Sequence, residues 1–209
     1  MADEKTQRRW DGTALFYDLL AHGAEKRWGP AKRALFARMR SGGRILFAAL
    51  GTGLDIACFP PGMEIVAIDI SPRMLARAAP RLADYPGRIE ARQMDILDLD
   101  FPEDHFDQIF TACTFCSVPD PVRGLESLRR VLAPGGELAM FEHTGSRYLP
   151  FNWLLDMCNP LCRHIGPEMN RDTVGNVEKA GFDVVSVNHL FLDVVKTITA
   201  RKPTGTPRG

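Results

Sequence analysis

Several features that would place a chain in a special class are missing from these 209 residues. Lys and Arg (26) balance Asp and Glu (26), so the chain lacks the net positive charge typical of nucleic-acid binding proteins. No apolar run approaches the roughly 18 residues that a membrane-spanning helix needs. Residues 1–9 are too polar for a signal peptide, so we expect a cytoplasmic protein. A hydrophobic content of 45% and a charged content of 25% are ordinary for one globular domain.

Cysteine is also scarce. Five cysteines, an odd number without a secretory signal, predict reduced thiols rather than a disulfide framework. Cys113 and Cys116, with Cys158 and Cys162, have a spacing that a four-thiolate zinc site can use. However, Cys113 ends an apolar strand, where a small buried hydrophobic residue is the usual interpretation, so we expect no metal.

The chain has no full G-x-G-x-x-G motif, but it has a glycine turn between two apolar strands. Leu50-Gly51-Thr52-Gly53 follows the first strand, and Asp69 ends the second. Glycines let a ligand approach the backbone closely, and a carboxylate at the end of the second strand can accept both ribose hydroxyls. Because the turn lacks the glycine spacing that binds a pyrophosphate, S-adenosylmethionine fits better than a dinucleotide. A plain β-to-α connection is the alternative interpretation.

Strand-like and helix-like runs alternate along the chain, which predicts an α/β fold with a parallel sheet and helices on both faces. Ser71-Pro72 and Asp120-Pro121 are typical helix starts. The last two strands are expected to pair antiparallel, and the tail 202–209 is expected to be disordered. We predict strands at 44–49, 63–69, 88–94, 106–112, 136–142, 183–190 and 193–200, and helices at 72–84, 119–132 and 172–180.

The residues before the first strand form an N-terminal helical arm, 1–42, with helix-prone pieces at 12–22 and 30–40. Residues 1–44 contain ten Lys or Arg and five Asp or Glu, so this part carries the positive charge. The second piece is amphipathic and basic. It fits either a surface helix packed on the sheet or a helix that contacts an anionic membrane surface.

Five ordered motifs together resemble the class I S-adenosylmethionine-dependent methyltransferases. The resemblance covers roughly residues 43–200 and implies a doubly wound, Rossmann-like, seven-stranded sheet, mostly parallel with a C-terminal antiparallel strand, in a domain 43–201. The motifs are residues 45–53, the strand that ends in Asp69, 93–95 before Phe101-Pro102, Phe106-Asp107, and 130–136.

By that resemblance, Gly51 and Gly53 would face the methionine part of the cofactor, Asp69 the ribose, and Asp95 the adenine amino group. Two positions depart from the family pattern: Phe47 stands where a carboxylate is common, and Ala49 where a glycine is common. We expect Ala49 to be tolerated if its φ is negative, and Tyr17-Asp18 to compensate for Phe47. The candidate cofactor residues are Tyr17, Ala49, Gly51, Gly53, Asp69, Ile70, Asp95, Ile96 and Thr111.

Shorter motifs resemble bacterial phospholipid N-methyltransferases, which implies methylation of phosphatidylethanolamine toward phosphatidylcholine and a peripheral contact with the inner membrane face. An amine needs a base to lose its proton. We predict His143 first, then Glu142 and Tyr17. A lipid also needs an apolar entrance and a partner for its phosphate. The candidate substrate residues are Arg147, Tyr148, Trp153, Arg163 and Arg171.

Two other functions stay open. The first is a soluble methyltransferase that acts on a small thiol or a quinone precursor, since such enzymes share the core and differ in the segment that covers the site. The second is a cofactor-binding protein without catalysis, which the substitutions at Phe47 and Ala49 keep in view.

Overall fold

A computed structural model describes residues 3–146, 148–150, 153, 157, 168 and 170–205. Seven strands form one sheet in the order β3-β2-β1-β4-β5-β7-β6. The pairs among β1 to β5 are parallel, whereas β7 pairs antiparallel with both β5 and β6. The predicted fold class is therefore confirmed. The strands are β1 Ile45–Ala48, β2 Glu64–Asp69, β3 Arg88–Gln93, β4 Phe106–Ala112, β5 Leu132–His143, β6 Asp183–Phe191 and β7 Val195–Arg201.

Four of the five described α-helices begin at a side chain that accepts a hydrogen bond from the first turn, which offsets the unpaired amides there; the second helix, which follows Phe16, has no such cap. Ser71 and Asp120 act as these caps, as the sequence predicts, each followed by a proline. Asp3 and Asp172 do the same for the first and last helices. The helices are α1 Glu4–Thr13, α2 Tyr17–Phe36, α3 Pro72–Asp84, α4 Pro121–Val131 and α5 Thr173–Lys179.

The N-terminal helices differ from the prediction. The break falls at residues 14–16 rather than between 22 and 30, and α2 continues through Pro30 to Phe36. Leu35 and Phe36 are buried against the sheet, so tertiary packing outweighs the local preference of proline to interrupt a helix. Residues 30–36 are thus the end of a longer helix that packs on the sheet through one face, while Arg33 and Ala34 stay exposed, as in the first of the two interpretations of this segment.

Lys32 shows this most clearly, because it was expected on a solvated basic face. Its side chain is only 4% exposed, and Nζ lies 2.5 Å from Glu25 Oε1 and 2.8 Å from Asp55 Oδ1. A buried charge of this kind must be paired. Lys32 therefore joins α2 to the 3₁₀ turn Leu54–Cys58 and is unavailable to a membrane.

Alternation along the strands divides the core between the two faces of the sheet. Leu46 and Ala48 pack on the α4 and α5 side, whereas Ile45 and Phe47 pack on the α2 side. Phe47 lies within ring-contact distance of Phe36 and Phe59. The position where related proteins commonly have a carboxylate is therefore apolar and closed to water.

The tail predicted to be disordered, 202–209, begins with a residue that is bound to the folded domain, Lys202. Lys202 exchanges backbone hydrogen bonds with Gly135 and Gly136, and its Nζ lies 2.5 Å from Asp104 Oδ1. Gly135 has a φ of 74°, which suits the turn that the Pro134-Gly135-Gly136 motif predicts before the main part of β5. Lys202 thus belongs to the folded domain; residues 206–209 lie outside the described part.

Candidate cofactor and active site

A pocket opens at the carboxyl ends of β1, β2 and β4, where the strand order reverses on either side of β1. This switch point is where ligands bind in open α/β sheets. Seven of the predicted cofactor residues line the pocket: Tyr17, Ala49, Gly51, Asp69, Ile70, Asp95 and Ile96.

The glycine turn gives its two glycines different roles. Gly51 has a φ of 60° and donates its N–H to Asp69 Oδ2 at 2.7 Å, at the pocket wall. Gly53 has a φ of 80°, and a Cβ there would lie 3.0 Å from Ile56 and 3.2 Å from Ala78 of α3. Gly53 is outside the pocket lining, so its role is close packing of α3 rather than contact with the methionine part.

Ala49 lines the pocket with a φ of 62°. The condition stated for tolerating Ala49, a negative φ, is not met, because the backbone keeps the left-handed conformation that a glycine would adopt freely. An L-residue in this region costs about 1–2 kcal/mol. The backbone therefore stores local strain at the pocket wall, as functional sites often do.

Asp69 and Asp95 are held with their carboxylates at the pocket. Asp69 accepts the N–H of Gly51 and, at 2.8 Å, that of Ser71. Burial raises the pKa of Asp69, and these two amide hydrogen bonds act against that rise. Asp95 accepts the N–H of Leu97 at 2.9 Å. Each carboxylate still has lone pairs for a ligand, because an ionised carboxylate accepts about four hydrogen bonds.

Helix α1 forms a wall of the pocket that the sequence analysis missed. Thr6 and Trp10 line the pocket together with Tyr17 at the start of α2, and the Trp10 and Tyr17 rings meet edge to face at 6.2 Å. Asp3 donates its backbone N–H to Asp95 Oδ2 at 2.9 Å. The only sequence signal for this helix is the capping residue Asp3 ahead of a helix-forming run. A cap marks where a helix begins but does not show which part of the fold the helix packs against.

Glu142, a predicted base, is fully buried and turned away from the pocket lining. Oε1 accepts from the Thr111 hydroxyl at 2.9 Å and the Thr114 N–H at 3.2 Å, and Oε2 accepts from the Phe115 N–H at 3.1 Å. Burial raises the pKa of Glu142 to about 7, although these hydrogen bonds lower it. Thr111, predicted at the cofactor, instead supports Glu142. Together they hold the loop 113–119, which lines the pocket.

The other two predicted bases, His143 and Tyr17, are half-buried. His143 ends β5; burial lowers its pKa below 6.5, so the imidazole is neutral at pH 7. Its Nδ1 is buried without a hydrogen-bond partner among the described residues. Tyr17 lines the pocket, and burial raises its pKa, so it remains a neutral phenol. Of the three candidates, the structure brings only Tyr17 to the pocket wall.

The predicted substrate residues separate in the same way. Arg171 donates to Val118 O at 2.6 Å and to Glu168 Oε2 at 2.9 Å, and its side chain is 9% exposed. It therefore anchors the pocket loop, and its guanidinium is committed to protein partners. Tyr148 and Trp153 are 65% and 63% exposed. Arg147 and Arg163 lie outside the described residues.

The pocket fits a sulfonium nucleoside. Asp69 can accept ribose hydroxyls, Asp95 can accept an exocyclic amine, and Ile70, Met94 and Ile96 supply an apolar surface for a purine. The described residues contain no group of three His, Cys, Asp or Glu that could hold a metal. Cys158 and Cys162 fall outside that range, so the zinc alternative is untested.

Comparison with known proteins agrees with this geometry. A methyltransferase domain family matches residues 46–140. A phosphatidylethanolamine N-methyltransferase of Cereibacter sphaeroides is 34% identical over 117 residues, which cover 54% of this chain and 57% of that protein. A ubiquinone/menaquinone biosynthesis C-methyltransferase of Geotalea daltonii is 34% identical over 163 residues, covering 72% and 68%. This chain thus spans little more than half the length of the first relative.

A solved structure from Thermotoga maritima, described as an S-adenosylmethionine-dependent methyltransferase and possible histamine N-methyltransferase, superposes with a TM-score of 0.70. The superposition covers 94% of this chain and 99% of the Thermotoga maritima chain. Because the sequence identity is only 16%, this likeness supports the fold alone. Together with the family match and the two relatives, the pocket leads to one assignment: the chain belongs to the class I S-adenosylmethionine-dependent methyltransferases, with S-adenosylmethionine as its cofactor.

Proposed function

We propose that this protein transfers a methyl group from S-adenosylmethionine to the amine of a phospholipid head group, converting phosphatidylethanolamine toward phosphatidylcholine. The single observation that carries the proposal is the apolar character of the segment after β5. Tyr148, Leu149 and Trp153 are 65%, 80% and 63% exposed. Large side chains exposed at this level are typical of surfaces that meet an apolar ligand or a membrane.

The segment after β5 is tied to the pocket wall through short hydrogen bonds. Gly145 donates its N–H to Arg171 O at 2.9 Å, and Arg171 donates to Val118 O at 2.6 Å. Val118 lines the pocket. An acyl chain lying on the exposed segment would therefore bring its head group toward the cofactor, and positioning of this kind is the main requirement of an in-line methyl transfer.

The amine must reach the cofactor unprotonated, because an ammonium has no lone pair. Neutral His143 at the end of β5 is suited to accept a proton from the amine. Tyr17, at the pocket wall, would be a hydrogen-bond partner for the same amine. His143 lies outside the pocket lining, so in this proposal it acts through an intervening water. Glu142 is not proposed as a base, because its carboxylate binds amides of the loop 113–119.

Product identification tests the proposal. The protein is incubated with methyl-labelled S-adenosylmethionine and vesicles of dioleoyl phosphatidylethanolamine, and the lipids are separated. Label in the mono-, di- or trimethylated head group is the expected result. Phosphatidylcholine, which has the same acyl chains and no free amine position, is the matched control. Labelled lipid in the control sample, whose vesicles contain phosphatidylcholine alone, or no labelled lipid in either sample, would refute the proposal.

A quinone precursor is the second candidate acceptor, because the Geotalea daltonii relative matches over a longer part of the chain than the phospholipid enzyme does. Such an acceptor is also apolar and would use the same exposed segment. A carbon nucleophile needs no ammonium to be deprotonated. Label transferred to a demethylated isoprenoid quinone, and absent from phosphatidylethanolamine, would favour this candidate; an alkyl thiol in a third reaction tests the thiol alternative.

Contact with an anionic membrane surface is part of the proposal, but its residues differ from those expected. Leu15, Phe16, Leu19 and Leu20 form an exposed apolar elbow where α1 meets α2, at 65%, 58%, 78% and 67% exposure. Tyr17, in the middle of this elbow, lines the pocket. No helix in the described part of the chain meets the requirements for spanning a bilayer. We therefore propose peripheral contact through the apolar elbow.

Vesicle flotation tests this contact. Replacing Leu19 and Leu20 by Gln removes two side chains that would each contribute roughly 1.5–3 kcal/mol if fully buried in lipid, so binding to phosphatidylglycerol-containing vesicles should fall at least tenfold. Val185→Gln changes a 56% exposed residue on β6 and is the matched control. Equal flotation of all three proteins would contradict membrane contact through the elbow.

A further inference from the structure

The glycine turn of this chain is held by an acidic residue that comes from outside the turn's own strand. Position 47, where related proteins commonly carry a carboxylate, is a phenylalanine sealed among Phe36 and Phe59. The turn nevertheless needs a fixed conformation, because Gly51 must donate to Asp69 at the cofactor pocket. The structure shows where the replacement comes from.

Asp18, in the first turn of α2, reaches the glycine turn from the same side of the sheet as Phe47. Its Oδ1 accepts the hydroxyl of Thr52 at 2.5 Å, and its Oδ2 accepts from Arg81 Nη2 at 2.7 Å. Arg81 also donates to the Thr52 carbonyl at 2.8 Å. Thr52, between the two glycines, is 1% exposed. Its hydroxyl and its carbonyl are thus both bound within one closed arrangement.

Charge supports the same arrangement. Burial alone would raise the pKa of Asp18, but the hydrogen bonds from Thr52 and Arg81 and the charge of Arg81 outweigh it and lower the pKa. The carboxylate is therefore ionised throughout the physiological range. Hydrogen bonds in which one partner is charged are stronger and shorter than neutral ones.

The two other aspartates of the arm also contact cofactor loops. The carboxylate of Asp11 accepts the Ser71 hydroxyl at 2.6 Å, after β2, and Asp3 donates its N–H to Asp95. The arm is therefore attached to the loops after β1, β2 and β3, each of which carries predicted cofactor residues. Asp18 is the contact that reaches the glycine turn itself.

We propose that Asp18 is a positioning residue for S-adenosylmethionine, which supplies through Thr52 the carboxylate support that Phe47 cannot give to the glycine turn. It acts on the cofactor through Thr52 and Gly51 and makes the N-terminal arm a working part of the cofactor site. The inference rests on the cofactor assignment and is independent of the acceptor.

Calorimetric titration with S-adenosylhomocysteine tests it, because it reports affinity and the fraction of competent protein separately. Asp18→Asn should raise Kd about tenfold, as expected for the loss of one charged hydrogen-bond pair, with unchanged stoichiometry. Thr52→Val should give a similar increase, and the double variant should be no weaker than either single one, because both act through one contact. Asp18→Glu should recover part of the affinity.

Asp84→Asn makes the same chemical change at an exposed position at the end of α3 and serves as the matched control. A purely structural role of Asp18 would lower the stoichiometry and leave Kd unchanged, which would overturn the proposal. Unchanged Kd in Thr52→Val would also overturn it, even if Asp18→Asn fails to fold. A wild-type protein that does not bind S-adenosylhomocysteine would refute the cofactor assignment together with this inference.

Discussion

Replacing Glu142 by Gln tests how the loop at the pocket wall is supported. Two effects compete at this carboxylate: complete burial disfavours its charge, whereas the Thr111 hydroxyl and two loop amides favour it. Burial prevails and raises the pKa of Glu142 from 4.5 to about 7. The folded protein therefore binds a proton at Glu142 more tightly than the unfolded chain does.

The sign of the pH dependence follows from this difference. Below about pH 4.5 both states are protonated and Glu142 carries no penalty; the free energy of unfolding then falls as pH rises, and levels off above about pH 7. Each pH unit corresponds to about 1.4 kcal/mol, so the full loss is about 3 kcal/mol, of which 2–3 kcal/mol falls between about pH 5 and 8. Gln is a neutral isostere of the protonated acid and is insensitive to pH.

Urea unfolding of the wild type and Glu142→Gln at pH 5, 6, 7 and 8 measures this effect. We expect the stability of the wild type relative to the variant to fall by about 2–3 kcal/mol over this range. Glu126→Gln, at an exposed site on α4, is the control and should show no such trend. Thr111→Val removes a hydrogen bond that favours the charge, so the decline should extend to higher pH. A difference that is constant or rises with pH would refute the reasoning.

Three further predictions concern single side chains. Asp69→Asn places an amide group where the Gly51 and Ser71 amides donate, so the Kd for S-adenosylhomocysteine should rise about 30-fold or more, measured by calorimetry. Ala49→Gly relieves the strain of the positive φ of 62°. Glycine loses more backbone entropy on folding than alanine does, so the net rise in the free energy of unfolding should be up to about 1 kcal/mol. A loss of stability in urea would show that Ala49 is unstrained. Lys32→Met leaves the Glu25 and Asp55 carboxylates near a buried site without their cation, so the protein should lose about 3–5 kcal/mol in urea unfolding; a change below 1 kcal/mol would show that the cluster is hydrated.

Local patterns in the sequence determined the order of strands and helices after residue 43, the cofactor class and most of the cofactor pocket. The glycine turn and Asp69 lie at the end of neighbouring strands, so their meeting follows from the parallel sheet alone. Ser71 and Asp120 mark their helices for an equally local reason, since a cap acts within one turn.

Only the tertiary structure decided which distant groups complete the site. Alternation along β5 puts Glu142 and His143 on opposite faces, but the loop amides that bind Glu142 are about 30 residues away in sequence. Contacts between segments that are distant in sequence also place α1 at the wall of the pocket, Asp18 at the glycine turn, and Lys32 in its buried ion cluster. Periodicity shows which residues share a face. The partner of that face depends on how the whole chain packs, because burial and pairing of charges are settled between segments rather than within them.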